Sequence, residues 1–194
     1  MSLTIVDFNN FWSPSGGGVR RYHLEKMNFY RYETDAVYVF VMPDSRTYTE
    51  QLTDSLIIEH VKAFKFPGKW EYRMLWKSSQ IAPILKRHKP DIIEVGSPYI
   101  LPTVVRKNAK KIVPRAKLLG FWHADFPITY VERPIAEKFG KKLGKLASQV
   151  AFAYARYEFK GFTGIQVSAE ETRLRLKRKG LPAHHQVPLG CDIS

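Results

Sequence analysis

The chain has 194 residues, 44% of them hydrophobic, which is enough apolar material for one domain with a buried core. Its formal charge of +13 is uneven, +2 over residues 1–100 and +11 over residues 101–194, so an anionic partner and a solvated basic surface are both open. The lone Cys191 excludes an intrachain disulfide, and no run approaches the roughly 18 apolar residues of a membrane span. Asp7 interrupts the short apolar start, which argues against a signal peptide. We therefore expect a cytoplasmic protein.

Short apolar runs alternate along the chain with longer segments of helical period. The predicted strands are Leu3–Phe8, Ala36–Met42, Leu56–Val61, Asp91–Val95, Lys117–His123 and Ile165–Ser168. The predicted helices are Val19–Tyr32, Trp70–His88, the part of Ile100–Lys111 that follows Pro102, Pro134–Lys160 and a last one that ends at Lys179, opened by a capping box over Ser168–Glu171. This alternation predicts an α/β fold with a doubly wound, mostly parallel Rossmann-like sheet and helices on both faces.

We expect residues 1–180 to form this domain. Residues 181–194 carry Pro182, Pro188 and Gly190 and begin a new extended run at Gln186, so we expect them to start a linker to a further carboxy-terminal domain.

In such sheets, ligands bind beyond the carboxyl ends of the strands. The first such end carries Gly16, Gly17 and Gly18, whose bare backbone can approach a phosphate at the start of a helix. The sequence has neither a GxGxxG fingerprint nor a P-loop ending, and a flexible turn without ligand is the alternative. Arg20 and Arg21 follow directly and could contact a bound anion or simply be exposed.

Two further strand ends carry polar side chains. Ser97 lies in the turn after Val95, and His123 and Asp125 end the apolar run that begins at Lys117. His123 and Asp125 would share one face if that strand continued. The sequence shows no Cys, His and acid spacing typical of a metal site.

A row of lysines at three- and four-residue spacings occurs in the predicted long helix: Lys138, Lys141, Lys142 and Lys145, with Phe139 among them. Such a row could rest on anionic lipid headgroups, or it could be a solvated helix face. Nucleic acid is disfavoured, because the aromatic residues lie within apolar runs rather than on an exposed stacking platform.

Five stretches occur in a characteristic order, and together they carry a resemblance. They are the glycines followed by Val19–Tyr22, Val95–Pro98, Phe121–Pro127, Val167–Ser168 opening a helix to Gly180, and Val187–Asp192. This series resembles the amino-terminal half of a retaining glycosyltransferase of family 4, which has the two-domain GT-B fold. Cys191 departs from the valine that is usual before the aspartate. The stretch His123–Pro127 is similar to members with lipid or lipid-linked acceptors.

The resemblance implies a role for each candidate residue. Gly16 and Gly17 would approach the diphosphate of a nucleotide-sugar donor, with Gly18, Arg20, Arg21, Ser97 and Asp125 as further donor- or acceptor-binding candidates, and His123 would face the donor sugar. It also implies retention of configuration, no cofactor and no divalent metal, an acceptor held by this domain, and a carboxy-terminal domain that carries most nucleotide contacts. This domain alone would then be inactive, and a peripheral contact with the inner face of the membrane would suit a lipid acceptor.

Two other functions stay open. One is a basic Rossmann-like binding module for nucleic acid or an anionic membrane without catalysis, and steeply salt-dependent affinity for nucleic acid would support it. The other is a GT-B sugar-nucleotide epimerase, which would convert a nucleotide sugar without an acceptor.

Overall fold

The computed structural model describes residues 2–12, 17–65 and 72–187. Gly16, Cys191 and the rest of 188–194 lie outside this range, so the predictions made for them concern residues that the structure does not describe. The elements in chain order are β1 (Thr4–Phe8), α1 (Gly18–Glu33), β2 (Val37–Asp44), β3 (Tyr48–Gln51), β4 (Leu56–Lys62), β5 (Phe64–Lys65), β6 (Arg73–Met74), α2 (Ser78–His88), β7 (Ile92–Val95), α3 (Leu101–Ile112), β8 (Lys117–Trp122), a π-helical segment (Pro127–Glu132), α4 (Arg133–Phe139), α5 (Lys141–Glu158), β9 (Gly164–Val167), α6 (Glu170–Arg178) and β10 (His185–Gln186).

Eight of the described strands form one sheet in the order β10-β9-β8-β7-β1-β2-β4-β3. The pairs are parallel except for β3, which runs antiparallel to β4 at one edge. The strand order reverses between β1 and β7, and this reversal is where ligands bind in doubly wound sheets. The predicted fold class is confirmed.

Helices cover both faces of the sheet. Val6 and Ile93 belong to the larger apolar core, together with residues of α2, α3 and α5 such as Leu85 and Phe152. On the opposite face, Met27 of α1 packs against Ile5, Tyr38 and Phe40. Because the central strands are buried on both faces, their sequences read as nearly continuous apolar runs, and this is why they are visible in the sequence.

Two predicted helices are wrong in extent. Residues 70 and 71 of the helix predicted over 70–88 lie outside the described range, and residues 72–77 are not helical, so α2 begins at Ser78. Asn10 holds Leu75 in an extended segment: its Oδ1 accepts from the Leu75 amide at 2.8 Å, and its Nδ2 donates to the Leu75 carbonyl at 3.3 Å. The helix predicted over 134–160 is interrupted at Gly140, whose φ of +92° is a conformation that favours glycine.

Two smaller expectations also fail. The capping box at Ser168 does not form, since Ala169 is the N-cap of α6 and no side chain caps it. The edge strand β3 was not predicted, because its four residues are exposed and offer no apolar run. Within the described ranges, no helix combines the length and the apolar character needed to cross a lipid bilayer.

Candidate active site

The carboxyl ends of β1, β7 and β8 bring three short segments together at the reversal of strand order. Asn9 follows β1, Gly96 follows β7 and His123 follows β8. The Asn9 Oδ1 accepts from the Phe11 amide at 2.7 Å, which turns the Nδ2 of the same side chain towards two imidazoles. This Nδ2 lies 3.4 Å from His123 Nε2 and also contacts His23 Nε2, so Asn9 donates to both rings.

The close approach of these side chains requires glycine at position 96. A Cβ on Gly96 would lie 2.5 Å from Asn9 Nδ2 and 2.9 Å from His123 Nε2, both far inside van der Waals contact. The neighbouring Ser97 is fully buried, and its Oγ accepts from the Tyr99 amide at 3.4 Å. Its predicted contact with a substrate remains a prediction.

His123 is a neutral imidazole near neutral pH. Burial lowers its pKa to about 3, and the neighbouring His23, whose own pKa burial lowers to about 4, acts in the same direction. Because Nε2 accepts from Asn9, the proton lies on Nδ1. Packing fixes the ring, with the centroids of Phe121 and Tyr22 at 4.1 and 5.4 Å. His123 is therefore a neutral ring, held in place by packing, that can donate a hydrogen bond through Nδ1, and it is not an imidazolium.

A buried ion cluster, formed by Asp7, Lys26 and Glu94, lies at the base of this site. Asp7 of β1 and Glu94 of β7 are direct neighbours in the sheet. Lys26 of α1 lies between their carboxylates, with Nζ 2.8 Å from Asp7 Oδ2 and 2.7 Å from Glu94 Oε1. The Tyr38 hydroxyl also donates to Asp7 Oδ2 at 2.7 Å, and the Tyr22 hydroxyl to Glu94 Oε1 at 3.4 Å.

The electrostatics of the ion cluster follow from burial and from Lys26. Burial raises the pKa of Asp7, but Lys26 and then His23 outweigh it and the pKa falls to about 2. Burial raises the pKa of Glu94 above its usual range, with Lys26 acting against it. The two carboxylates overcome desolvation and hold the pKa of Lys26 well above its usual value. The cluster ties α1 to the two central strands and so positions that helix over the sheet.

The helix α1 begins in the glycine segment at this same edge of the sheet. Gly17 is its N-cap and Gly18 its first residue, and both are exposed. A Cβ at either position would meet no atom of the described residues within 4 Å, so packing does not require glycine there. Arg20 and Arg21 lie in the first turn, where positive charge opposes the helix dipole. The Arg20 guanidinium lies 6.0 Å from the Trp12 ring centroid, and Arg21 is exposed.

Asp125 does not lie on a continued strand with His123, since β8 ends at Trp122 and the Asp125 carbonyl instead accepts from the amides of Ile128 and Thr129. The strand does not continue, so the condition under which the two side chains would share a face is not met. The Asp125 Oδ2 forms an ion pair with Arg175 of α6. Burial raises the pKa of Asp125, although Arg175 acts against it. A substrate contact by Asp125 remains a prediction.

Sequence reasoning missed Asn9, His23 and the ion cluster. A signal was present for the cluster, because Asp7 and Glu94 are charged residues inside runs that otherwise read as buried strands, and buried charges are paired. No comparable signal identifies Asn9 or His23. Their importance comes from the reversal of strand order, which only the tertiary structure reveals.

Known proteins share features of sequence and fold with this chain. The sequence profile of Glycosyltransferase Family 4 matches residues 16–194. No curated protein matches the sequence significantly. Among 27 matching chains of solved structures is one described as sucrose-phosphate synthase from Thermosynechococcus elongatus, with 7% identity, a TM-score of 0.58, and coverage of 98% of this chain and 90% of that one. At that identity the likeness concerns the fold. The profile match covers most of the sequence, and the chain therefore belongs to glycosyltransferase family 4.

Proposed function

We propose that the chain is the acceptor-side domain of a glycosyltransferase that uses a nucleotide-sugar donor and retains the anomeric configuration. The observation that carries the proposal is the contact between His123 and the second turn of α1, just after its N-terminus. Tyr22 and His23 of that helix lie 5.4 and 5.8 Å from the His123 ring, measured between centroids. A helix N-terminus is suited to a diphosphate, and the adjacent imidazole is suited to a sugar hydroxyl.

The glycine segment supports the position of the donor diphosphate. Packing against the described residues does not require glycine at positions 17 and 18, whereas a phosphate that approaches the backbone amides closely would. Arg20 and Arg21 fit the same proposal, because a bound diphosphate would offset the unfavourable charge that they bring to the first helical turn.

His123 would bind the donor sugar as a neutral donor through Nδ1. Because its pKa is lowered, the His123 ring is neutral before the reaction. It would orient the donor sugar and donate a hydrogen bond that strengthens as the bond between the sugar and the diphosphate breaks. We further propose that the transfer needs no divalent metal, that a second domain outside this chain supplies most nucleotide contacts, and that the acceptor is a lipid or lipid-linked molecule.

The acceptor class is supported by an apolar groove beside the site. The groove reaches Tyr99 and Phe126, which follow the carboxyl ends of β7 and β8, and it continues along α5. An acceptor with an apolar chain could occupy this groove while its polar end approaches His123.

The test is donor cleavage by the full-length protein that contains this chain. A panel of nucleotide sugars is incubated with and without a lipid extract, and release of nucleoside diphosphate is measured. His123→Ala should reduce release on the order of a hundredfold. His184→Ala changes an exposed histidine and is the matched control. NMR of the product gives its anomeric configuration.

His123→Asn keeps a polar side chain and guards against a folding defect in the alanine variant, with circular dichroism as the check. Absence of cleavage with every donor, or cleavage that His123→Ala leaves unchanged, would contradict the proposal. Conversion of the donor without an acceptor would favour an epimerase.

A further inference from the structure

Residues 127–158 form a helical hairpin whose second limb packs into the core through its C-terminal half, while the turn between the limbs is exposed. One limb is the π-helical segment followed by α4, and the other is α5. The chain turns at Gly140, whose φ is +92°. The limbs then cross closely, since a Cβ on Gly144 would lie 2.7 Å from both the Ala136 Cβ and the Glu132 carbonyl oxygen. The predicted single long helix is thus replaced by two limbs with a tip at residues 138–146.

The hairpin carries an apolar groove of about 730 Å³ that is not covered by the described part of the chain. Its lining includes Tyr130, Ile135, Phe139, Leu143, Leu146 and Val150. Phe139, Leu146 and Val150 are 61%, 57% and 65% exposed. Contiguous apolar surface of this kind marks an interaction site rather than scattered surface residues.

Lysines surround the apolar tip. The break at Gly140 divides the lysine row of the sequence, leaving Lys138 on α4 and placing Lys141, Lys142 and Lys145 on α5, and all four are exposed. None of the four forms an ion pair within the described residues. The Lys138 Nζ lies 5.3 Å from the centroid of the Phe139 ring, so charge and apolar surface are directly adjacent.

We propose that the tip of this hairpin docks on an anionic lipid bilayer. Phe139, Leu143 and Leu146 would enter the headgroup and acyl boundary, while the lysines remain at the level of the headgroups with their alkyl stems along the apolar surface. Each basic residue near an anionic membrane strengthens binding by about fivefold.

The chemistry of the patch favours a membrane over other partners. A second copy of this chain would bring two lysine clusters together, which like-charge repulsion opposes. Nucleic acid would form ion pairs with the lysines but would gain little from exposed Leu and Val side chains, since its bases stack on aromatic side chains. An anionic bilayer rewards both parts of the surface.

Docking through the tip would also orient the candidate active site. The far end of the groove reaches Tyr99 and Phe126 at the strand ends, so an acyl chain could enter it from the bilayer. This last consequence rests on the proposed function, whereas the docking itself does not.

The test measures binding of the full-length protein to vesicles by flotation, without any nucleotide sugar. Vesicles of phosphatidylcholine alone are compared with vesicles of phosphatidylcholine and phosphatidylglycerol in equal parts. We expect binding to the anionic vesicles, and we expect the triple variant Lys141→Gln, Lys142→Gln, Lys145→Gln to weaken it roughly a hundredfold.

The matched control is Lys107→Gln, Lys110→Gln, Lys111→Gln, which removes the same charge from exposed lysines of α3. It should weaken binding no more than a few fold. A second variant, Leu143→Ser with Leu146→Ser, leaves the charge unchanged and should also weaken binding. All these side chains are exposed, and circular dichroism verifies the fold.

Equal losses in the two lysine variants would overturn the proposal, because binding would then reflect net charge alone. Absence of binding to anionic vesicles would also overturn it, as would unchanged binding of the double serine variant. Because no donor is present, failure here is distinguishable from failure of the donor-cleavage test.

Discussion

Replacing Lys26 by Met should strongly destabilise the fold, because it removes the cation between two buried carboxylates. The Lys26 side chain is 11% exposed, and those of Asp7 and Glu94 are 0% and 7% exposed. Met is an equally good helix former of similar length, so the change acts mainly on charge. In the variant, Asp7 and Glu94 face each other across neighbouring strands with no ammonium group between them.

The magnitude follows from the pKa values. The Asp7 pKa of about 2, against 3.8 for an unperturbed group, contributes about 2 kcal/mol of stability above the unfolded pKa, and this contribution is lost as pH falls through the folded pKa. The variant loses this contribution. It also loses the cation that offsets the desolvation cost of the buried Glu94 carboxylate. We expect a total loss of about 3–5 kcal/mol near neutral pH, typical of a broken buried ion pair.

Urea unfolding followed by circular dichroism measures this loss. The loss should shrink on acidification to about pH 5.5. Lys26 acts against the rise that burial gives the pKa of Glu94, so its removal raises that pKa further, and the folded variant gains a proton, and with it stability, at a higher pH than the wild type. Glu94→Gln added to Lys26→Met should restore part of the loss. The matched control Lys107→Met should change the free energy of unfolding by less than about 0.5 kcal/mol. A loss below about 1 kcal/mol, or one independent of pH, would refute this reasoning.

Three further predictions concern the strand ends. Gly96→Ala should reduce the free energy of unfolding by about 1–3 kcal/mol, since the new Cβ would clash with Asn9, and unchanged urea unfolding would contradict the close contact. Gly18→Ala should maintain stability or raise it by up to about 1 kcal/mol, yet slow sugar transfer by the full-length protein; unchanged turnover would disprove the role of the glycine segment in diphosphate binding. The rings of His23 and His123 should stay neutral well below pH 6.5, which ¹⁵N NMR measures. In the unfolded state both imidazoles take up a proton at a higher pH, so the free energy of unfolding should fall by up to about 3 kcal/mol per pH unit between about pH 6 and 4. A protonated His123 near pH 6 would exclude the neutral imidazole.

The sequence by itself determined the fold class and the edge of the sheet that carries the candidate site. Parallel strands buried on both faces are nearly continuous apolar runs, so Ala36–Met42 and Lys117–His123 are visible in the sequence, and the segments that follow them lie at the carboxyl edge. His123 and the glycines were identified for this reason. The family resemblance was equally accessible, because it depends on the order of short motifs along the chain, and the profile match confirms it.

Only the tertiary structure decided which side chains meet. Asn9, His23 and Gly96 lie in separate segments of the chain, and their contact depends on the strand order of the sheet. The local periodicity of the sequence does not reveal that order. Lys26 looks like any helical lysine until α1 is placed over Asp7 and Glu94. The hairpin depends on one positive φ at Gly140, although the helical period of the sequence continues across that residue. The turn there places Lys138 and the α5 lysines together at one apolar tip. A helix or strand follows from short-range propensity and burial, whereas a site follows from contacts between elements far apart along the chain.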